Sequence, residues 1–250
     1  MIAALALFIY MHLWFTLAML RRRNDVADVA WGLGFVMLAV VEFCLHLPST
    51  PVRSMVVVAL VAAWGFRLAI YIGRRSMGQP EDPRYTDMRN EWGANWRLHT
   101  YVKVFWLQGL LLFAIAQPLL AALRLPSSPL NGIDQVAESL ALFGLIIEAI
   151  ADYQKGKFKS DPANRGRICD VGLWSKARHP NYFGEMVFWV GISTFTLHQA
   201  ESLWWVWFSP ALLIFLLLKV SGVPLIEKRY AGNGKYEDYK KRTNLLVPIR

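Results

Sequence analysis

The apolar residues of this chain fall in long, nearly unbroken runs, not in the short alternations of half-buried strands. A helix rises about 1.5 Å per residue and a bilayer core is about 30 Å thick, so about 18 to 20 consecutive apolar residues read as a membrane-crossing helix. Seven runs meet or approach that length: 2–20, 26–47, 55–72, 102–123, 140–153, 182–197 and 203–220. The fifth and sixth are short for a full crossing, and the fifth is extended outward by amphipathic sequence from Asp134. The pattern predicts an all-α polytopic membrane protein, a seven-helix bundle that forms a single membrane domain over 1–250. The first run has no basic segment before it and no small-residue cleavage site after it, so it reads as a helix and not as a signal peptide.

Charge tests this count independently. Seven crossings put the loops after the first, third and fifth runs on one side together with the C-terminal tail. Those segments hold nearly every Lys and Arg, among them Arg21, Arg22 and Arg23, then Arg74 to Arg97, Lys155 to Arg178, and Lys228 to Arg242. The opposite loops hold only Arg53 and Arg124. Basic loops stay in the cytoplasm, so the C-terminus is expected inside, the N-terminus outside, and the chain in a bacterial inner membrane. The net charge of +9 follows from that asymmetry and suits anionic lipid headgroups. Nucleic-acid binding is disfavoured, because no basic stripe lies on a soluble domain. Cys44 lies in a run and Cys169 in a basic loop, so neither a disulfide nor a metal site is expected.

Charged groups inside a bilayer are costly and mark either ion pairs or a functional cavity. Here they are Asp28, Arg67, Glu148, Asp152 and Glu185, with Gln108 as a neutral companion. Run direction places them all in the cytosolic half, with Glu42 and Gln117 as exceptions nearer the outside. Glu148 and Asp152 are four apart, as are Asn181 and Glu185, so each pair shares a helix face. The set predicts a polar chamber open to the cytosol above an apolar outer half that includes Phe35, Leu38, Leu112 and Phe113. Pairing of Asp28 with Arg67 is the ordinary alternative. The loop from Arg74 to His99 reads either as a lid or as a solvated loop. The densest chemistry runs from Asp152 through Lys155, Lys157 and Lys159 to Gly172-Leu173-Trp174 and Arg178-His179-Pro180-Asn181-Tyr182-Phe183-Gly184-Glu185. Pro180 fits the first turn of a helix whose N-terminus, beside Arg178 and His179, favours an anion.

That last stretch resembles the signature of the membrane-bound steroid 5-alpha-reductase family in its bacterial branch. The same superfamily holds sterol reductases and isoprenylcysteine carboxyl methyltransferases. Trp64-Gly65-Phe66-Arg67, Glu81-Asp82-Pro83-Arg84-Tyr85, and Tyr236-Glu237-Asp238-Tyr239 through Val247-Pro248 are similar to it too, so the resemblance runs from about Asp25 onward. It implies a seven-helix fold and NADPH bound in the cytosolic half, mainly by 145–250. It also implies reduction of the carbon–carbon double bond of a lipophilic enone, a 3-oxo-Δ4 steroid above all, that enters from the membrane. By motif, Asn181 and Glu185 would line the nicotinamide end, with Asp152 and Tyr182 nearby. Lys159 would meet a cofactor phosphate, and Arg167, Arg178 and His179 also belong to the cofactor set. Arg67, Arg84, Tyr85, Tyr230 and Tyr239 complete the implied cofactor set, and Trp31, Trp64 and Gln108 the substrate set.

The chain departs from the animal enzymes at two points. Their Gln-Glu pair on the second helix is not found in Asp25-Val26-Ala27-Asp28, and a substrate-facing Tyr is replaced by Trp64. The acid that polarises the ketone is therefore Glu148 or Asp28, since burial in an apolar bundle keeps a carboxyl protonated and able to donate. An Arg67 partner would oppose this for Asp28. Two other activities stay open: methyl transfer from S-adenosylmethionine to a lipophilic acceptor, and a transport or structural role.

Overall fold

The computed structural model describes residues 1–46, 52–126 and 129–249. It is all-helical, and the described residues form no strand, only an isolated bridge between Ala177 and Asn244. The helices are α1 (Ile2–Arg21), α2 (Val26–Leu45), α3 (Val52–Ser76), α4 (Pro83–Trp92), α5 (Trp96–Thr100), α6 (Leu107–Ile115) and α7 (Gln117–Leu123). They continue with α8 (Gly132–Ser160), α9 (Pro180–Thr194), α10 (Ala200–Leu203), α11 (Phe208–Phe215), α12 (Val223–Arg229) and α13 (Gly234–Arg242). Contacts cluster into two compact units, Met1–Leu130 and Asn131–Arg250.

Among the described residues, five helical stretches are long and apolar enough to cross a membrane: Ile2–Arg21, Val26–Leu45, Val52–Ser76, Pro83–Ile115 and Glu201–Arg229. The chain is thus an all-helical membrane protein in which five of the seven expected runs meet the length and hydropathy of a crossing. The fifth and sixth runs do not. The fifth is the middle of α8, which carries Glu138, Glu148 and Asp152 along its length, and the sixth falls in α9, only 15 residues long. The fourth run starts earlier than expected. The helix is continuous from Pro83, because α4 and α5 are joined to α6 by a 3-10 turn and a π-helical turn at Tyr101–Trp106. Most of the Arg74 to His99 loop is therefore helix.

In the first unit, α1 closes on Arg22 in the left-handed region (φ 53), with the Arg23 amide donating to the Ala18 carbonyl at 3.0 Å. Helices α2 and α3 touch backbone to backbone: a Cβ on Gly65 would lie 2.6 Å from the Gly32 carbonyl oxygen. Phe35, Leu38, Val61, Trp64 and Leu112 are buried there. Glu42, anticipated as a charge away from the main cluster, is buried and accepts from Arg124 Nε at 2.5 Å, so the charge at that end is neutralised.

In the second unit, Asn131 and Asp134 form a capping box that starts α8, and Pro180 opens α9 as its fixed φ and missing N–H allow. The two helices pack through Ala137, Ala141 and Gly144 against Gly184 and Gly191. A Cβ on Gly184 would fall 2.6 Å from both the Glu148 nitrogen and the Gly144 oxygen. Small residues on both helices let the backbones approach this closely, the usual way membrane helices gain packing energy. The approach sets Glu148 and Asp152 of α8 beside the first turns of α9.

Candidate functional site

The polar residues gather into one cluster in each unit. In the first unit the turn between α1 and α2 is strapped to residues 79–85. Arg23 donates to both Asp25 oxygens (3.0 and 2.6 Å) and to the Gln79 carbonyl (2.7 Å). The Asn24 amide donates to Glu81 at 2.5 Å, and Arg89 grips both Glu81 oxygens at 2.9 and 2.8 Å. Asp82 caps α4 by accepting from the Arg84 amide at 3.0 Å. These bonds order the segment that the sequence left as either lid or loop.

The strap delivers two groups to Asp28, one turn into α2. Arg84 Nη2 donates to one carboxylate oxygen at 2.9 Å, and the Tyr85 hydroxyl donates to the other at 2.6 Å. Tyr85 is buried, and its hydroxyl has the Gln108 side chain as a second hydrogen-bond neighbour. So Asp28, Arg84, Tyr85 and Gln108, assigned to three different roles from sequence, form one constellation. The pairing of Asp28 follows a fold-back of 56 residues, which no helical spacing reveals. Trp31 and Trp64 each meet Phe35 in a T-shaped contact at 5.5 Å, and Trp64 is fully buried, as a core residue is. Arg67 lies further along α3.

In the second unit the C-terminal segment builds the site. Asn244 and Leu245 pair with Lys176 to His179: the Arg178 amide donates to the Asn244 carbonyl at 2.9 Å and the His179 amide to that of Leu245 at 3.1 Å. The Tyr239 hydroxyl is directed at the carbonyls of Trp174 (2.5 Å) and Ala177 (3.2 Å). The indole of Trp174 donates to the Ala151 carbonyl at 2.8 Å, which ties the loop to α8. Gly172 sits at φ 56 against the Gln154 side chain and leaves no room for a Cβ. Arg178 donates to the carbonyls of Lys240 and Thr243 and pairs with Glu227 at 3.4 Å.

A small cavity of about 40 Å³ results, whose cationic wall is Lys155, Lys159, Arg167 and Arg178. Its aromatic wall is Trp174, Tyr230, Tyr236 and Tyr239, with Cys169 between them. Five of these eight cationic and aromatic residues were expected from sequence. Lys155, Trp174 and Tyr236 were not, although Lys155 stands four before Lys159 and so shares its face. Lys155 lies 4.0 Å over the Trp174 ring, and Tyr230 stacks on Tyr236 at 4.5 Å. Burial pushes the Tyr236 hydroxyl up to about 12, with the Glu227 carboxylate adding to the shift. Tyr239 and Arg178 spend most of their hydrogen-bonding on the protein's own carbonyls, so they shape the cavity. Lys155, Lys159 and Arg167 supply its charge.

Beside this cavity, at the start of α9, His179 is 1% exposed and stacks on Tyr182 at 5.2 Å. Neither of its ring nitrogens has a hydrogen-bond partner among the described residues, and Asn181 Oδ1 is likewise buried without one. Buried polar groups left unmatched cost about 1–3 kcal/mol each, so these atoms are open to a polar partner. Glu185 follows one turn later on α9. Glu148 and Asp152 are both buried on α8, Glu148 directly beneath Gly184.

Burial, reinforced by the cations Lys155 and Arg178, pushes the His179 imidazole down from 6.5 to about 3. The unfolded chain takes up this proton near pH 6.5 and the folded chain only near pH 3. The unfolded state therefore binds more protons between those values, and stability falls as pH drops through that window, by up to about 1.4 kcal/mol per unit. Thermal unfolding of the wild type is expected to shift down between pH 7 and pH 5. His179→Phe, which keeps a flat ring over Tyr182, should show a smaller shift, and an equal shift in both proteins would contradict this assignment.

Over residues 14–243 the chain matches the family described as a protein of unknown function (DUF1295). It belongs to that family. No curated protein matches it, and no solved structure does.

Proposed function

We propose that this protein is an NADPH-dependent reductase of the carbon–carbon double bond of a lipophilic enone, for which a 3-oxo-Δ4 steroid is the model substrate. The observation that carries this reading is the cavity of the second unit, where Lys155, Lys159 and Arg167 lie together with stacked aromatics. NADPH presents phosphates that reward Lys and Arg, with one phosphate more than NADH, and an adenine that stacks on Tyr or Trp. S-adenosylmethionine carries a sulfonium cation and no phosphate, so a wall of Lys155, Lys159 and Arg167 disfavours it. The resemblance of Arg178 to Glu185 to the steroid 5-alpha-reductase signature agrees, as does the unmatched amide oxygen of Asn181.

The residues fit the cofactor in kind. Lys155, Lys159 and Arg167 would hold its phosphates, Tyr230 and Tyr236 its adenine, and Asn181 the carboxamide of its ring, with Glu185 alongside. When bound, NADPH supplies the hydride that reaches the β carbon of the enone.

The ketone oxygen needs a donor as negative charge develops on it. The Tyr85 hydroxyl of the first unit, bonded to Asp28 and neighboured by the Gln108 amide, is the hydrogen-bond donor we assign to that oxygen, and the α carbon of the resulting enolate takes its proton from water. Asp28, held by Arg84, orients the hydroxyl and so positions the donor; it accepts hydrogen bonds where a neutral donor was expected from sequence. Glu148 keeps the seam of α8 and α9. In this reading the chain spans its membrane with its C-terminus in the cytosol, so a soluble cofactor and a membrane-dissolved substrate both have access.

The test is turnover. The purified chain, given NADPH deuterated at the transferable position and a 3-oxo-Δ4 steroid, is expected to yield the saturated ketone with one deuterium per molecule. Transfer of a methyl group from labelled S-adenosylmethionine to a lipid acceptor, with no deuterium transfer to any enone, would overturn the reading.

A further inference from the structure

A second charged concavity lies in the first unit, away from the Asp28 cluster. A cleft of about 250 Å³ is lined by Met19, Arg22, Arg89, Trp96 and Arg97. Three guanidinium groups, which stay charged at any accessible pH, share this small space. Glu81 neutralises Arg89. Arg22 and Arg97 have no acidic partner among the described residues. The cleft therefore carries about two uncompensated positive charges, a repulsive arrangement that an anion relieves.

The cleft is also organised in advance. Arg22 is the one non-glycine residue at positive φ among those described, a conformation held only when its surroundings require it. Its carbonyl accepts from Arg89 Nη2 at 3.3 Å, so the end of α1 is fastened to α4. The Arg89 guanidinium lies 4.8 Å over the Trp96 ring, and that of Arg97 lies 5.5 Å from the same ring.

From the cleft, one seam runs along α1 toward its other end. His12 and Tyr101 satisfy each other at 3.0 Å, and Phe15 packs on Tyr101 and Phe105. Beyond them opens a cavity of about 300 Å³ between Leu7, Phe8 and Met11 on one side and Phe105, Leu110 and Phe113 on the other. The π-helical turn at Tyr101–Trp106 borders it, with the one-residue bulge such a turn introduces. Arg22 and His12 are ten residues apart, about 15 Å along a helix, which is one leaflet of a bilayer core about 30 Å thick.

We propose that this seam holds one anionic phospholipid, with its phosphate in the cleft of Arg22, Arg89 and Arg97 and one acyl chain along α1 to the cavity at His12 and Tyr101. Charge complementarity at one end and an apolar cavity about half a bilayer away along α1 at the other select this occupant over a soluble anion or a neutral lipid. The bound lipid ties α1 to α4, and through the Arg89–Glu81 pair it holds the strap that delivers Tyr85.

Native mass spectrometry of the full chain, released from neutral detergent, tests this with phosphatidylglycerol, phosphatidylcholine and inorganic phosphate as probes. One phosphatidylglycerol per chain is expected to be retained at least ten-fold better than phosphatidylcholine, and excess inorganic phosphate should not displace it. Arg22→Gln with Arg97→Gln should weaken retention by about thirty-fold. Lys228→Gln with Lys241→Gln, an equal loss of charge elsewhere, should leave it unchanged. Dioctanoyl phosphatidylglycerol, too short to reach the cavity, should bind the wild type more weakly than the long-chain lipid. Equal retention of the two headgroups, displacement by phosphate, equal binding of the short-chain lipid, or unaltered retention by the arginine variant would each overturn the proposal.

Discussion

Tyr85→Phe is expected to lower kcat for enone reduction by about 100-fold or more while leaving the affinity for NADPH within about two-fold. The substitution removes one oxygen and keeps the ring, so the buried position stays filled. What it deletes is the donor that meets the ketone oxygen as negative charge develops there, an interaction stronger in the transition state than in the ground state. Such a loss shows in kcat. The neighbouring Asp28→Asn should act differently. It takes the charge from an ion pair with Arg84, so it lowers activity and also destabilises the strap between α2 and residues 79–85. Steady-state kinetics with thermal unfolding separates the two, because Tyr85→Phe keeps the Asp28–Arg84 ion pair and should destabilise the chain less than Asp28→Asn. Wild-type kcat in Tyr85→Phe would remove the tyrosine from the chemistry.

The largest effect on stability is expected from Gly184→Leu. A Cβ at this position meets backbone nitrogen and oxygen of α8 at 2.6 Å, and backbone cannot step aside as a side-chain tip can. The helices must separate, at a cost of about 3 kcal/mol or more. With them would go the placement of Glu148, Asp152 and the first turn of α9. Gly156 is the internal control: it lies on the facing helix α8, where a Cβ would meet nothing within 4 Å, so Gly156→Ala should be neutral or stabilising by up to about 1 kcal/mol. Fluorescence-detected size exclusion after heating measures both. A Gly184→Leu chain as heat-stable as the Gly156→Ala chain would show that α8 and α9 do not pack as described.

These cases also show what the sequence could disclose. Hydropathy alone located α1, α2, α3 and the apolar cores of two later crossings, because a bilayer demands long uniform runs and nothing else in the chain imitates them. It located only the apolar middle of α8, a helix that begins at an Asn131–Asp134 capping box and carries acidic groups along its length. Periodicity cannot distinguish such a helix from a short crossing. At the site, Lys159, Arg167, Arg178, Tyr230 and Tyr239 were legible because a motif names them, and the cavity does bring them together. Tyr85 was legible as a residue but not in its role. Its contact with Asp28 depends on the fold-back of residues 79–85, which is driven by ion pairs among Arg23, Asp25, Glu81 and Arg89. Ion-pair partners that far apart leave no spacing in the sequence.

The most direct test of the central claim is cofactor binding to the detergent-purified full chain, with NADPH and S-adenosylmethionine titrated in parallel. Saturable binding of NADPH alone is expected, weakened by about ten-fold or more in Lys159→Ala and in Asn181→Ala, as loss of a charged or a buried hydrogen-bond partner implies. Binding of S-adenosylmethionine with none of NADPH, or NADPH affinity indifferent to both substitutions, would contradict it.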